Sequence, residues 1–180
     1  MRKSGILMHI TSLPGPYGVG TLGKSAYAFL EFLHKSGQQS WQMLPLTPTG
    51  YGDSPYQSCS AYAGNPYLID RDTLVRQHLL TKEELLGVDW GEDESHVDFG
   101  KLYNGRTPIL KLAYSRFRND RALNAFIKKN ASWLEDFALY MALKETHGYA
   151  PWFQWEKKLK FRDPETLEEQ KQLLEEPMRF

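Results

Sequence analysis

The chain has 180 residues, 41% of them hydrophobic, which is enough to bury a core. Its 22 Lys and Arg residues balance its 22 Asp and Glu residues, so its charge gives no reason to expect nucleic acid or an acidic membrane as a partner. The single cysteine, Cys59, cannot form an internal disulfide, and the apolar run near the N-terminus is too short for a secretion signal or a membrane span. We therefore predict a cytoplasmic protein that binds neither nucleic acid nor membranes.

The first 46 residues predict a strand, a helix and a second strand. Residues 5–10 (GILMHI) are an apolar run rich in branched side chains, which predicts a buried strand. A turn-rich loop then leads into a predicted helix over residues 22–36, with Gly37 where a helix stop is expected. Residues 41–46 (WQMLPL) predict a second strand. This order makes a βαβ unit, which indicates an α/β fold with a parallel pair of strands.

Residues 47–70 form a segment rich in proline, glycine and tyrosine that follows the second predicted strand. Proline fixes φ and removes a backbone donor, while glycine permits positive φ, so this composition predicts a long, stiff, irregular loop. Its aromatic content argues against disorder. Because ligands of parallel α/β folds lie on the loops that leave the carboxyl ends of strands, we expect a binding site here.

The side chains of this loop favour a sugar as ligand. The apolar C–H face of a sugar ring can stack on a tyrosine, and its hydroxyls can bond to Ser54, Gln57 or Asp53. Asp53 has an alternative interpretation as a turn former, because Asp bonds nearby backbone groups in such positions. Glycoside chemistry needs two flanking carboxylates, and Glu31 and Asp70 are the only other acids before residue 71, so no catalytic pair is predicted.

The four tyrosines of the loop differ in their neighbours. Tyr51 and Tyr56 are flanked by glycine or proline, and we predict that their rings are exposed for a ligand. Tyr62 and Tyr67 are the candidates for packing the loop onto the body of the protein.

Residues 71–180 predict helices joined by polar connections, and we interpret them as a mainly helical insertion subdomain beside a βαβ part at residues 1–70. The predicted helix starts are a capping box at Thr81 and Glu84, an N-cap at Thr107 with Pro108, a capping box at Ser132 and Glu135, and Asp163 with Pro164 before a helix over residues 165–175. Two strands cannot cover this many helices, so the chain looks like the front of a longer one.

Two patterns that suggest cofactors lack the required context. Residues 18–23 contain G-x-G-x-x-G, but prolines separate this pattern from the strand, and Met43 stands where dinucleotide-binding folds place an acid. The acidic residues 89–98 lack the glycine that a calcium loop needs at its sixth position, where Glu94 stands. We therefore favour a glycine-rich loop and a solvated acidic loop, and predict neither a metal site nor a cofactor.

Two long segments, residues 4–23 and 41–70, resemble the amino-terminal part of the amylomaltase family, the 4-alpha-glucanotransferases. The shorter motif FQWEKKLK at residues 153–160 is also similar to the family, and residues 71–180 resemble its helical insertion more loosely. The resemblance implies the first two strands of a (β/α)8 TIM barrel with a largely helical inserted subdomain. It also implies a retaining transfer of α-1,4-glucan segments between malto-oligosaccharides, without a metal or organic cofactor.

The resemblance further implies roles for three loop residues. Tyr56 would stack on or contact a sugar near the cleavage point, Ser54 would bond a sugar hydroxyl, and Tyr51 would make a secondary glucan contact. The family's catalytic carboxylates belong to later barrel strands whose motifs are absent here, so we expect this chain alone to be inactive. The alternatives are a stand-alone glucan-binding or regulatory module and, less favoured, a hydrolase of the wider α-amylase group.

Overall fold

The computed structural model describes residues 2–50, 52–93 and 95–180. The chain forms two compact units, Met1–Phe117 and Arg118–Phe180. This division lies after residue 117 and not at the predicted boundary between residues 70 and 71, because residues 71–117 share a hydrophobic core with the segment before them. The assignment of residues 71–180 to an insertion subdomain stays a prediction.

A parallel pair of strands begins the first unit, as predicted. Strand β1 (Gly5–Leu7) pairs with β2 (Ser40–Gln42), and helix α1 (Lys24–Lys35) connects them. Gly37 has a φ of 70° and ends α1 in the left-handed conformation, which confirms the predicted helix stop. Both strands are shorter than expected. Three residues after the end of β1 the chain enters a 3-10 helix at Ile10–Ser12, and β2 ends at Gln42.

The prediction that the first strand is buried is wrong. Gly5 and Leu7 are exposed, and Leu7 retains 60% of its accessible surface. Alternate residues of a strand point to opposite faces, and among the described residues nothing buries the face that carries Leu7. The apolar residue that does become fully buried is Ile10 in the following turn, where it joins a small core that includes Leu68.

The largest core of the first unit joins the long loop to three helices. These helices are α2 (Arg71–Arg76), α3 (Lys82–Leu86) and α4 (Phe99–Arg116). The buried residues of this core are Val19, Tyr67, Leu80, Leu85, Trp90, Leu102, Ile109 and Ala113. Because Tyr67 comes from the loop, Leu85 from α3 and three further residues from α4, this core fixes the base of the loop.

Two predicted helix starts in residues 71–117 had different outcomes. The Thr81–Glu84 capping box is confirmed, with both reciprocal hydrogen bonds present at the start of α3. The predicted start at Thr107 and Pro108 is wrong, since both residues lie inside α4, whose N-cap is Asp98. Burial of apolar side chains on both sides of Pro108 stabilises the continuous helix and outweighs the local cost of the proline.

The second unit consists of short helices around a small core. Its helices are α5 (Asp120–Lys129), α6 (Leu134–Thr146), α7 (Lys157–Lys160), α8 (Pro164–Leu173) and α9 (Glu175–Arg179). The buried residues of the core are Leu139 and Leu143 of α6 and Trp155, and side chains of α7, α8 and α9 pack against them.

The two helix starts predicted in this unit also had different outcomes. Asp163 caps α8 as predicted, since its side chain accepts from the amide of Thr166 at 3.1 Å. The predicted capping box at Ser132 and Glu135 does not form. The carbonyl oxygen of Asn130 accepts from the amide of Leu134 at 3.0 Å, so the preceding turn occupies the start of α6.

We expect Leu85→Ala to lower the free energy of unfolding of the first unit by about 2–5 kcal/mol, because Leu85 is 1% exposed and its removal leaves a cavity. The matched control is the adjacent Leu86→Ala. Leu86 is 81% exposed, so this change should stay within about 0.5 kcal/mol. Urea unfolding followed by circular dichroism measures both, and equal losses for the two variants would contradict the packing described here.

His147 is one of the groups in the second unit whose shifted pKa makes stability depend on pH. Burial lowers the pKa of the imidazole, but hydrogen bonds to the Leu143 carbonyl at 2.7 Å and to the Glu156 carboxylate at 3.1 Å outweigh this effect. The net result is a pKa raised above 6.5. The ring also stacks on Trp155 at 5.0 Å.

Because the folded-state pKa is raised, the contribution of His147 is fully present below the unfolded pKa of 6.5 and is lost as pH rises through the folded value. We expect the imidazole resonance of His147 to titrate above pH 6.5, and His147→Gln to reduce the fall in stability at higher pH. His34→Gln, at an exposed position on α1, is the control. A titration midpoint below 6.5 would refute this assignment.

Candidate functional site

Hydrogen bonds and packing hold the two ends of the loop over residues 47–70 in place. The amide of Asn65 donates to the carbonyl oxygen of Leu46 at 2.8 Å, which ties the end of the loop to its beginning. The side chain of Asn65 then accepts from the amide of Tyr67 at 3.0 Å and starts a 3-10 helix at Pro66–Leu68. Tyr67 is 3% exposed and confirms the prediction that it packs the loop onto the body.

The tip of the loop is a series of tight turns. The amide of Asp53 donates to the carbonyl oxygen of Gly50, and the amide of Gln57 donates to that of Ser54. The amide of Gly50 also donates to the carbonyl oxygen of Gln57 at 3.0 Å, which closes the tip. Gly52 and Asp53 both have positive φ, at 84° and 53°. Within its described residues, this segment is the stiff, irregular loop that its composition predicts.

The tip presents Tyr56, whose side chain is 74% exposed, as predicted. Gln57 is exposed beside it, and Ser54 is half-buried. Tyr51 lies outside the described residues. Tyr62 was the second candidate for packing the loop, but it is 73% exposed and does not have that role.

Asp53 has its carboxylate engaged within the loop. One oxygen accepts from the Thr49 hydroxyl at 3.2 Å. Together with its positive φ, this bond supports the interpretation of Asp53 as a turn former. A direct contact between Asp53 and a sugar stays a prediction.

Asp70, the last residue of the loop, is the N-cap of α2. Its carboxylate accepts from the amide of Thr73 at 3.0 Å and from the Thr21 hydroxyl at 3.2 Å. It also lies 3.6 Å from the guanidinium of Arg76. These contacts give Asp70 a structural function, in line with the absence of a predicted catalytic pair in residues 1–70.

Two arginines that the sequence reasoning missed lie against this region. The guanidinium of Arg106 lies 4.3 Å from the centroid of the Tyr67 ring. Burial raises the pKa of the Tyr67 hydroxyl, the charge of Arg106 lowers it, and the charge of Asp53 raises it, so that the net pKa is raised. Arg71 is 1% exposed over the Trp90 ring at 4.6 Å, and burial, with the nearby charge of Arg106, lowers its pKa to about 10.

A signal for Arg106 was present in the sequence. Leu102, Arg106, Ile109 and Ala113 recur at helical spacing, so the arginine lies on the apolar side of α4. A cation in that position needs a partner inside the protein, and the partner here is an aromatic face. The prediction of a helix start at Thr107 concealed this pattern, because it divided α4 in two.

The arrangement is suited to binding an oligosaccharide by stacking and hydrogen bonding. In the part of the chain that the structure describes, no group of three or more His, Cys, Asp or Glu side chains could hold a metal ion. Across residues 2–50, 52–93 and 95–180, no helix is both long and apolar enough to cross a membrane. What the loop offers is a rigid aromatic ring with hydroxyl and amide groups beside it.

Comparisons with known proteins support this interpretation. A family model described as 4-alpha-glucanotransferase matches residues 8–180. The 4-alpha-glucanotransferase of Streptococcus pneumoniae serotype 4 is 52% identical over 157 residues, which cover 86% of this chain and 31% of the relative. That of Thermus thermophilus is 48% identical over 185 residues, covering 99% of this chain and 36% of the relative.

A solved structure is also similar to this chain. An amylomaltase from Streptococcus agalactiae in complex with acarbose has 43% sequence identity and a TM-score of 0.94, covering 99% of this chain and 37% of its own. The chain thus spans about a third of the length of the relatives it matches. The family match extends over nearly the whole of this chain, which therefore belongs to the 4-alpha-glucanotransferase family.

Proposed function

We propose that the protein is a retaining 4-alpha-glucanotransferase that transfers α-1,4-glucan segments between malto-oligosaccharides, and that this chain contributes glucan binding. The observation that carries the proposal is the exposed ring of Tyr56 on a loop tied at its base and closed at its tip. A rigid aromatic surface loses little conformational entropy when a sugar stacks on it. The acarbose bound to the similar amylomaltase supports an oligosaccharide as the class of ligand.

In this proposal, β1 and β2 are the first two strands of a (β/α)8 barrel, and the helical residues that follow belong to an inserted subdomain. The parallel pairing of β1 and β2 supports the assignment, since barrel strands are parallel and joined by helices. The exposed apolar side chains of Leu7 on β1 and of Tyr27 and Phe32 on α1 also support it, because further strands and helices of a barrel would cover them.

The proposed contribution of the loop to the reaction is orientation of the glucan. Tyr56 stacks on a sugar ring, Ser54 and Gln57 bond its hydroxyls, and Tyr51 makes a secondary glucan contact. Holding an acceptor sugar in place converts its attack on the glucosyl-enzyme into an effectively unimolecular step and helps exclude water. We place the catalytic carboxylates outside this chain and the protein in the cytoplasm, and we propose no cofactor.

We expect Tyr56→Ala in the full-length gene product to raise KM for maltotriose about five- to thirtyfold, since loss of a stacking surface costs about 1–2 kcal/mol. Initial rates of glucose release at varied maltotriose concentration give KM and kcat. Tyr62→Ala is the matched control, because Tyr62 is an equally exposed tyrosine of the same loop to which the proposal gives no sugar contact. An unchanged KM in Tyr56→Ala would overturn the proposed role of the loop.

We expect the purified 180-residue chain to release no glucose from maltotriose, because covalent glycosyl transfer needs a pair of flanking carboxylates and the proposal places the catalytic carboxylates outside this chain. Chromatography of the products checks this. Glucose together with longer oligomers would show that the catalytic groups lie within this chain. A full-length gene product that binds maltotriose without converting it would favour the alternative, a stand-alone glucan-binding or regulatory module.

A further inference from the structure

His9 stands at the carboxyl end of β1. The last paired residue of this strand is Leu7, which lies opposite Gln42, and the amide of Met8 also donates to the carbonyl oxygen of Gln42 at 3.0 Å. His9 comes next and keeps an extended backbone, with φ −78° and ψ 150°, before the 3-10 helix begins. In parallel α/β folds, this end of a strand is where binding sites are built.

The extended backbone places His9 on the face of the strand pair that points away from α1. Met8 packs with Phe29 of α1 and Trp41 of β2, so its side chain lies on the helix side. Leu7 lies on the opposite face and is 60% exposed. Because side chains alternate along an extended segment, His9 shares the face of Leu7. In the proposed barrel the helices form the outer ring, so this is the inner face.

His9 also lies beside the base of the loop over residues 47–70. The next residue, Ile10, is fully buried and shares a core with Leu68 of the loop. Leu46, the residue before the loop, packs against the same core. One small core therefore fixes the backbone next to His9 together with both ends of the loop that carries Tyr56.

The ring of His9 is half-buried and has an unused nitrogen. Its Nδ1 is inaccessible to solvent and has no hydrogen-bond partner in the part of the chain that the structure describes. Burial of an unpaired polar atom costs stability, so packing alone does not explain a histidine here. Burial also lowers the pKa of the imidazole below 6.5, which leaves the ring neutral at neutral pH.

We propose that His9 is a further glucan-binding residue, whose Nε2 forms a hydrogen bond with a hydroxyl of the malto-oligosaccharide held by the loop over residues 47–70. The inference rests on the proposed function, since it adds a contact to the same ligand. A neutral imidazole has one N–H donor and one acceptor nitrogen, and a sugar hydroxyl can pair with either. A carboxylate partner would instead favour the charged imidazolium.

The first test compares His9→Leu and His9→Gln in the full-length gene product. We expect His9→Leu to raise KM for maltotriose about two- to tenfold with kcat within about twofold, because one uncharged hydrogen bond to the substrate is lost. Glutamine provides an amide with a similar reach to Nε2, so His9→Gln should recover most of this loss. His34→Leu, at an exposed position on α1, is the control and should leave KM unchanged.

The melting temperature separates binding from a role in the fold. His9→Leu removes the unpaired buried nitrogen, so it should melt at or above the temperature of the parent protein although it binds maltotriose more weakly. A histidine that serves only the fold would show the reverse, with a lower melting temperature and an unchanged KM.

A second test observes the ring directly in the parent protein. With ¹⁵N-labelled histidine, the imidazole resonances that are missing from the spectrum of His9→Gln belong to His9. We expect the Nε2 resonance of His9 to shift when acarbose, the compound bound to the similar amylomaltase, is added. The resonances of His34 should stay in place.

The outcomes separate this inference from the proposed function. If Tyr56→Ala raises KM but His9→Leu does not, the role of His9 is wrong and the function stands. A loss of kcat alone in His9→Leu also overturns the sugar contact. If His9→Leu does not fold, an Nε2 resonance that acarbose leaves in place overturns the inference. If Tyr56→Ala has no effect and the full-length gene product does not bind maltotriose, both fail.

Discussion

The first unit depends on the burial of one loop side chain, Tyr67, in the core that α3 and α4 also build. An irregular loop of this length contributes few regular backbone hydrogen bonds, so its order has to come from side-chain anchors and tight turns. Tyr67 provides this anchor through its ring, which packs in the core and lies 4.3 Å from the guanidinium of Arg106. Tyr56 at the tip of the loop is therefore exposed although the loop itself has a fixed shape.

This anchoring explains how one segment combines a buried and an exposed tyrosine. The buried tyrosine lies in a 3-10 helix at the end of the loop, where Asn65 directs its backbone. The exposed tyrosine lies in a closed turn with no core beneath it. The local backbone thus decides whether a tyrosine of this loop is buried or exposed. A loop with one anchoring and one exposed tyrosine suits a site that binds extended oligosaccharides, because stacking needs a ring that is exposed and also held still.

Local patterns predicted the features that depend on local physics. The parallel pair, α1 with its stop at Gly37, the Thr81 capping box and the exposure of Tyr56 all follow from spacing, capping or flanking glycine and proline. The errors arose where contacts distant in sequence decide the outcome. Pro108 lies inside α4 because the core holds both halves of that helix, and Leu7 is exposed because nothing among the described residues packs on its face.

The same limit applies to the candidate site. The aromatic and hydroxyl composition of residues 47–70 predicted an exposed tyrosine on a stiff loop, which the structure has, and its role in sugar binding stays a prediction. The contact of Arg106 with Tyr67 joins two segments far apart in the chain, and only the folded structure brings them together. The internal use of the Asp53 carboxylate was equally hidden, because a turn former and a sugar ligand have the same local sequence.

The left-handed backbone at position 53 limits how this loop can diverge in evolution. Glycine adopts that conformation freely and asparagine tolerates it, whereas β-branched residues are strongly disfavoured. Of the tolerated residues, glycine provides no acceptor for the Thr49 hydroxyl, while the asparagine amide oxygen can still accept it. We therefore expect the substitutions tolerated at position 53 to be almost entirely limited to exchange between aspartate and asparagine, even where the surrounding surface varies freely.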